Sequence, residues 1–221
     1  PAAAVGTVYR FYVEANDPTD KISAVFGNDE SPLVITCGAG IFNSPMNASW
    51  NASGVNPAFF AFFPDLQDDS FATIGLDGPA GPGAEDPSLV QDSSLDPTIS
   101  AFFTTGGTEL NVNTLTGGSW YVLNTAANAL PDEDGRWLVA QITSTSAPSG
   151  VLSYQVFPLG EGADQVQKSM EFVDGVVVVP STIIDEVIKK ALEKVSSENT
   201  VREELKRGDS LTAVFKKHKI L

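Results

Sequence analysis

Apolar residues in this chain come in strand-length runs, and turn residues close each run after roughly 8–12 positions. Thr7–Glu14 alternates well enough for a half-buried strand. Asn16-Asp-Pro-Thr-Asp20 follows with turn chemistry, Asx side chains around a proline of fixed φ. The same grammar predicts strands over 21–26, 32–37, 70–75, 98–103, 118–124, 136–143 and 150–157, and a helical turn within 124–130. A Gly-, Pro-, Ser- and Asp-rich stretch over 77–96 reads as a surface excursion. No long amphipathic helix is expected before residue 180. The fold class is therefore mainly β: an antiparallel β-sandwich, jelly-roll-like, with a short C-terminal helical tail.

Charge divides the chain at Asp174-Gly175. Residues 1–175 hold four Lys and Arg against 21 Asp and Glu, a formal −17, whereas 176–221 hold nine against seven. The expected organisation is an acidic β-sandwich domain over 1–173 and a tail over 174–221. In the tail, Val176–Val179 reads as a buried strand stopped by Pro180. Three short helices follow, the first carrying Ile184, Val187, Ile188, Ala191, Leu192 and Val195 on one face. A whole-chain charge of −15 argues against nucleic acid, whose phosphates need a basic face. No run approaches the ~18–20 consecutive apolar residues of a membrane span. The chain opens at Pro1 without methionine, which fits a mature protein freed of a leader.

Much catalytic chemistry is missing. The one histidine, His218, lies four residues from the end, so the body offers no Ser-His or Cys-His dyad and no imidazole for zinc. Its cations number four: Arg10, Lys21, Arg136 and Lys168. The single Cys37 forbids an internal disulfide and reads as a buried thiol.

Three groups of residues are candidates for binding. Asp65, Asp68 and Asp69, and separately Asp132 and Asp134, place hard oxygen ligands close together, which suits Ca²⁺, the only cofactor suggested. Asn47-Ala-Ser49 and Asn51-Ala-Ser53 are glycosylation sequons in a polar stretch that reads as an exposed loop. Trp50, in that loop, is the expected exposed aromatic for stacking on a sugar, while Trp120 and Trp137 sit in strand patterns and read as core. Phe59–Phe63 is expected to form a buried loop or short helical turn plugging one end of the core.

Asp174-Gly-Val-Val-Val-Val-Pro180, Glu198-Asn-Thr-Val-Arg-Glu-Glu-Leu205, Gly208-Asp-Ser-Leu211 and the closing Val214–Leu221 resemble the C-terminus of the RraA-like family. That family includes regulators of RNase E activity and metal-dependent 4-hydroxy-4-methyl-2-oxoglutarate aldolases. The resemblance implies a helical terminal element from a fold that forms trimers. The family's glycine-rich loop and Arg-Asp pair lie upstream of this element and have no counterpart in 1–173, so no catalytic residue is carried over. The body is loosely similar, in Val25–Leu33, Phe63–Phe71, Gly117–Tyr121 and Asp134–Leu138, to secreted β domains of marine algae and bacteria without an assigned activity.

The expected function is a secreted or cell-surface structural or adhesive protein, an assembly subunit and not an enzyme. Its expected partner is itself or another surface protein. The alternative is a calcium-dependent carbohydrate-binding module, and third comes an RraA-like aldolase remnant without a catalytic site.

Overall fold

The computed structural model describes residues 6–178. The tail helices, the Ile184–Val195 stripe, His218 and all of the RraA-like segment beyond Val178 lie outside the described residues. Within them the chain is mainly β, with antiparallel sheets and one α-helix. In chain order the elements are β1 (Thr7–Glu14), β2 (Lys21–Gly27), β3 (Leu33–Thr36), β4 (Phe71–Ala72), β5 (Ser88–Gln91), α1 (Ile99–Thr105), β6 (Glu109–Val112), β7 (Gly118–Tyr121), β8 (Arg136–Ser144), β9 (Ser149–Phe157), β10 (Val166–Val173) and β11 (Val176–Val177).

Three strands make a small sheet in the order β1-β8-β4. The larger sheet runs β11-β10-β9-β2-β7-β5, with β3 beside β9 and β6 beside β3. Two of its lines are interrupted in step. Gly27 faces Gly118 before the break and Leu33 faces Val112 after it, so five residues leave the sheet on each strand and the register resumes unchanged. Gly117 makes the close approach there: its φ is +64°, and a Cβ would strike the carbonyl oxygen of Gly27.

One apolar cluster draws on both sheets. Phe11 and Val13 of β1 and Trp137, Val139 and Ile142 of β8 join Val25, Ile35, Trp120, Leu152 and Phe172 of the larger sheet. Phe11 and Phe172 meet at a centroid distance of 4.6 Å. Trp120 Nε1 donates to the Thr73 carbonyl at 3.0 Å, tying β7 to the chain just past β4. Trp137 Nε1 donates to the Ala129 carbonyl at 2.9 Å. Both indoles are fully buried with their single donor satisfied, as a core tryptophan requires. Cys37 is buried too, and burial pushes its thiol up to about 11.

The expected strand over 98–103 is instead α1. Thr98 caps it by accepting from the Ala101 N–H, and Gly106 ends it at φ 80°. Its buried residues, Ile99, Phe102 and Phe103, have helical spacing, which outweighed the β-branched and aromatic composition. The excursion over 77–96 contains β5, and β6 and β10 were not expected. In β10 only Met170 and Phe172 are buried, so the alternation is confined to one end. Val176 and Val177 do pair with β10, but as an exposed edge and not a buried strand.

Candidate functional site

β8 is buried along nearly its whole length because both of its faces are covered. Trp137, Val139 and Ile142 enter the shared core, whereas Leu138 and Gln141 face a long segment, roughly residues 42–70, that returns over the small sheet. Beneath this segment lies a second cluster of Ala52, Val55, Leu66, Phe71 and Leu138.

Hydrogen bonds clamp the segment at both ends. The Phe42 N–H donates to the Thr143 carbonyl at 2.7 Å, and the Ser70 N–H donates to the Phe42 carbonyl at 3.0 Å. Asp69 stands between them. Its Oδ1 accepts from the Ser44 N–H at 2.6 Å and its Oδ2 from Asn47 Nδ2 at 2.7 Å. Burial is the main influence on this carboxyl and raises it to about 6, against the opposing pull of those hydrogen bonds. Gly54 permits the tight packing, since a Cβ there would collide with Asn47 Oδ1.

Both sequon asparagines belong to this clamp, which corrects the expectation of an exposed loop. Asn47 is 5 % exposed and Asn51 6 %. Asn51 Nδ2 donates to the Pro87 carbonyl at 3.3 Å, and its Oδ1 accepts from the Ser53 N–H and the Ser49 hydroxyl. Trp50 is half-buried and packs against the main core instead of standing free.

The acidic candidates separate. Asp65 is exposed while Asp68 and Asp69 are buried. Asp132 and Asp134 close around Arg136: Asp132 Oδ1 accepts the Asp134 and Arg136 N–H groups, and Asp134 Oδ2 lies 2.7 Å from an Arg136 Nη. Arg136 also stacks 4.2 Å above the Tyr12 ring centre. Among the described residues no three His, Cys, Asp or Glu side chains gather as a metal site.

The phenylalanine run forms the short helical turn expected, but it is not buried. Asn56 caps a short 3₁₀ turn, Pro57–Phe59, by accepting from the Ala58 N–H, and Pro64 opens the next turn, Pro64–Asp68. Between the two prolines the chain doubles back, with the Phe63 N–H donating to the Phe59 carbonyl at 2.8 Å. Phe62 is 76 % exposed, Phe59 50 % and Phe63 40 %. The segment's weight is carried by Leu66 and Val55 underneath, which leaves these rings outside.

Beside this turn opens a cleft of about 400 Å³. Val8, Val55, Pro57, Phe60 and Phe71 supply its apolar lining, and Arg10, Gln67, Asp68, Asp77 and Gln141 its polar lining. Gln141 is fully buried and reads both sides. Its Nε2 donates to the Gln67 and Asp69 carbonyls at 3.0 and 2.7 Å, and its Oε1 accepts from Arg10 Nε at 2.8 Å. Arg10 Nη1 stands 3.7 Å from Asp77 Oδ2. Sequence reasoning missed this site because its parts lie 131 positions apart, Arg10 and Gln141 being cross-strand partners in β1 and β8.

No known family, no curated protein and no solved structure matches the chain. The membrane expectation stands only so far: no helix among the described residues is long and apolar enough to cross a bilayer.

Proposed function

We propose that residues 6–178 form an antiparallel β-sandwich that acts as a secreted or cell-surface adhesive subunit, with self-association as its working contact and no catalysis of its own. The sandwich reading rests on the single core to which both sheets contribute. The adhesive reading rests on one observation: Phe59, Phe62 and Phe63 are held in solvent on a turn whose base is clamped to β8. Clustered exposed aromatics mark interaction surfaces, and a rigid base means that little ordering entropy is lost when they dock. The acidic body sets the conditions: like-charged copies repel, so association strengthens as salt screens them.

Sedimentation of the full chain at ionic strengths of about 0.01 and 1 M tests this. Concentration-dependent association that grows with salt is expected, and a F59S/F62S/F63S variant that stays monomeric under both conditions. A wild-type chain that remains monomeric throughout, or a variant that associates equally well, overturns the reading.

A further inference from the structure

We propose that the cleft beside Arg10 binds a neutral pyranose sugar, whose ring hydroxyls bridge the Arg10 guanidinium and the Asp77 carboxylate. The cleft's residues and its ligand are distinct from those of self-association. The volume, about 400 Å³, falls within the roughly 300–1,000 Å³ of small-ligand sites.

The donor side is fixed in advance. Gln141 is held by two backbone carbonyls through its Nε2 and holds Arg10 Nε through its Oε1, so the guanidinium plane is set by the folded backbone. A fixed guanidinium presents its remaining N–H groups in a rigid fork. The acceptor side is Asp77. At 3.7 Å it balances the charge of Arg10 yet is too distant for a direct hydrogen bond. A hydroxyl placed against both accepts from the guanidinium and donates to the carboxylate, and a sugar supplies such hydroxyls on adjacent carbons.

The other ligand classes fit worse. An anion meets Asp77 in the same wall and the formal −17 of the body. A cation meets the anchored guanidinium. A purely apolar ligand would strip water from the Arg10–Asp77 pair without replacing it. A pyranose has a C–H face as well as hydroxyls, and the apolar wall of Val55, Pro57 and Phe60 can cover that face.

The test is binding of the full chain, in EDTA, to an array of immobilised neutral oligosaccharides of glucose, galactose, mannose and N-acetylhexosamines. Uronate- and sulfate-bearing glycans and oligo-lysine are included, and calorimetry follows with the soluble oligosaccharide that binds. At least one neutral glycan is expected to bind without calcium, and R10K and D77N each to weaken it about tenfold or more while melting like the wild type. The F59S/F62S/F63S variant, which keeps Phe60, should bind as the wild type does, which separates failure of this site from failure of the adhesive reading. The proposal is overturned if no neutral glycan binds, if only sulfated, uronate or oligo-lysine probes bind, if binding appears only with calcium, or if R10K and D77N bind undiminished.

Discussion

Asn47 donates a 2.7 Å hydrogen bond from its Nδ2 to Oδ2 of Asp69, and both side chains are buried. The sequence offered one as a glycan acceptor and the other as a calcium ligand. In the fold they satisfy each other, and with the Ser44 N–H they pin the start of the covering segment to its end. Removing the carboxylate therefore leaves two buried donors unpaired. D69A is expected to lower stability by about 2–5 kcal/mol, measured by denaturant unfolding. A loss within the range of an ordinary surface substitution would show that the clamp carries no weight.

The same carboxyl should make stability depend on pH. Its folded value near 6 lies above the ordinary carboxyl range, so the folded chain binds the proton more tightly than the unfolded one. The resulting stabilisation is full below the unfolded value and is lost as pH rises through 6. Other carboxylates titrate as well, so the diagnostic is the difference between wild type and D69N. Wild-type stability should fall relative to D69N between about pH 4 and 7. A parallel pair of curves would place the Asp69 titration elsewhere.

Glycosylation is the third outcome. The Nδ2 atoms of Asn47 and Asn51 are the atoms a glycan would occupy, and each is already donating inside the fold. Folded protein secreted from a glycosylating host should carry unmodified Asn47 and Asn51 by peptide mass spectrometry. A glycan on either residue in the folded fraction would show that the clamp is not formed there.

What the sequence disclosed was local. β1, β2, β8 and β9 were visible because their apolar residues alternate or run unbroken between clear turn residues. β6 and β10 were obscured because half their residues are polar and face solvent. α1 carried both signals, and only its Thr98 cap and Ile99-Phe102-Phe103 spacing distinguish helix from strand. The phenylalanine run shows a different limit. Composition places aromatics inside, but two prolines and the Asn56 cap fix a turn too short to tuck its rings under, while Leu66 and Val55 take the buried positions. The cleft could not be read at all. Arg10 and Gln141 meet only because β1 pairs with β8, and single-sequence patterns do not give strand pairing.

Gly117 offers a test of the paired interruption. Its φ of +64° and the nearby Gly27 carbonyl both exclude a Cβ. G117A is expected to cost about 2 kcal/mol or more, since the left-handed conformation alone disfavours an L-residue by about 1–2 kcal/mol. A neutral effect on the melting temperature would mean that the two five-residue excursions do not meet as described.

The last prediction concerns which member of the Arg10–Gln141 pair supports the other. If Gln141 is the structural member, its loss should be the costlier. Q141L removes the donors of two carbonyls, Gln67 and Asp69, and leaves Arg10 Nε without its acceptor. Buried carbonyls without partners cost about 1–3 kcal/mol each, so Q141L should lose about 2–5 kcal/mol and loosen the covering segment to proteolysis. R10M leaves both carbonyls paired and strips only the buried Gln141 Oε1 of its donor, so it should lose about 1–3 kcal/mol, less than Q141L does. Q141E should behave as Q141L does, because a carboxylate sets acceptors against those carbonyls. An R10M/Q141L double variant should be scarcely worse than Q141L alone, since the interaction lost with Arg10 is already gone. Equal costs for R10M and Q141L, or strict additivity between them, would mean that the guanidinium is not held by this amide and that the cleft has no fixed donor.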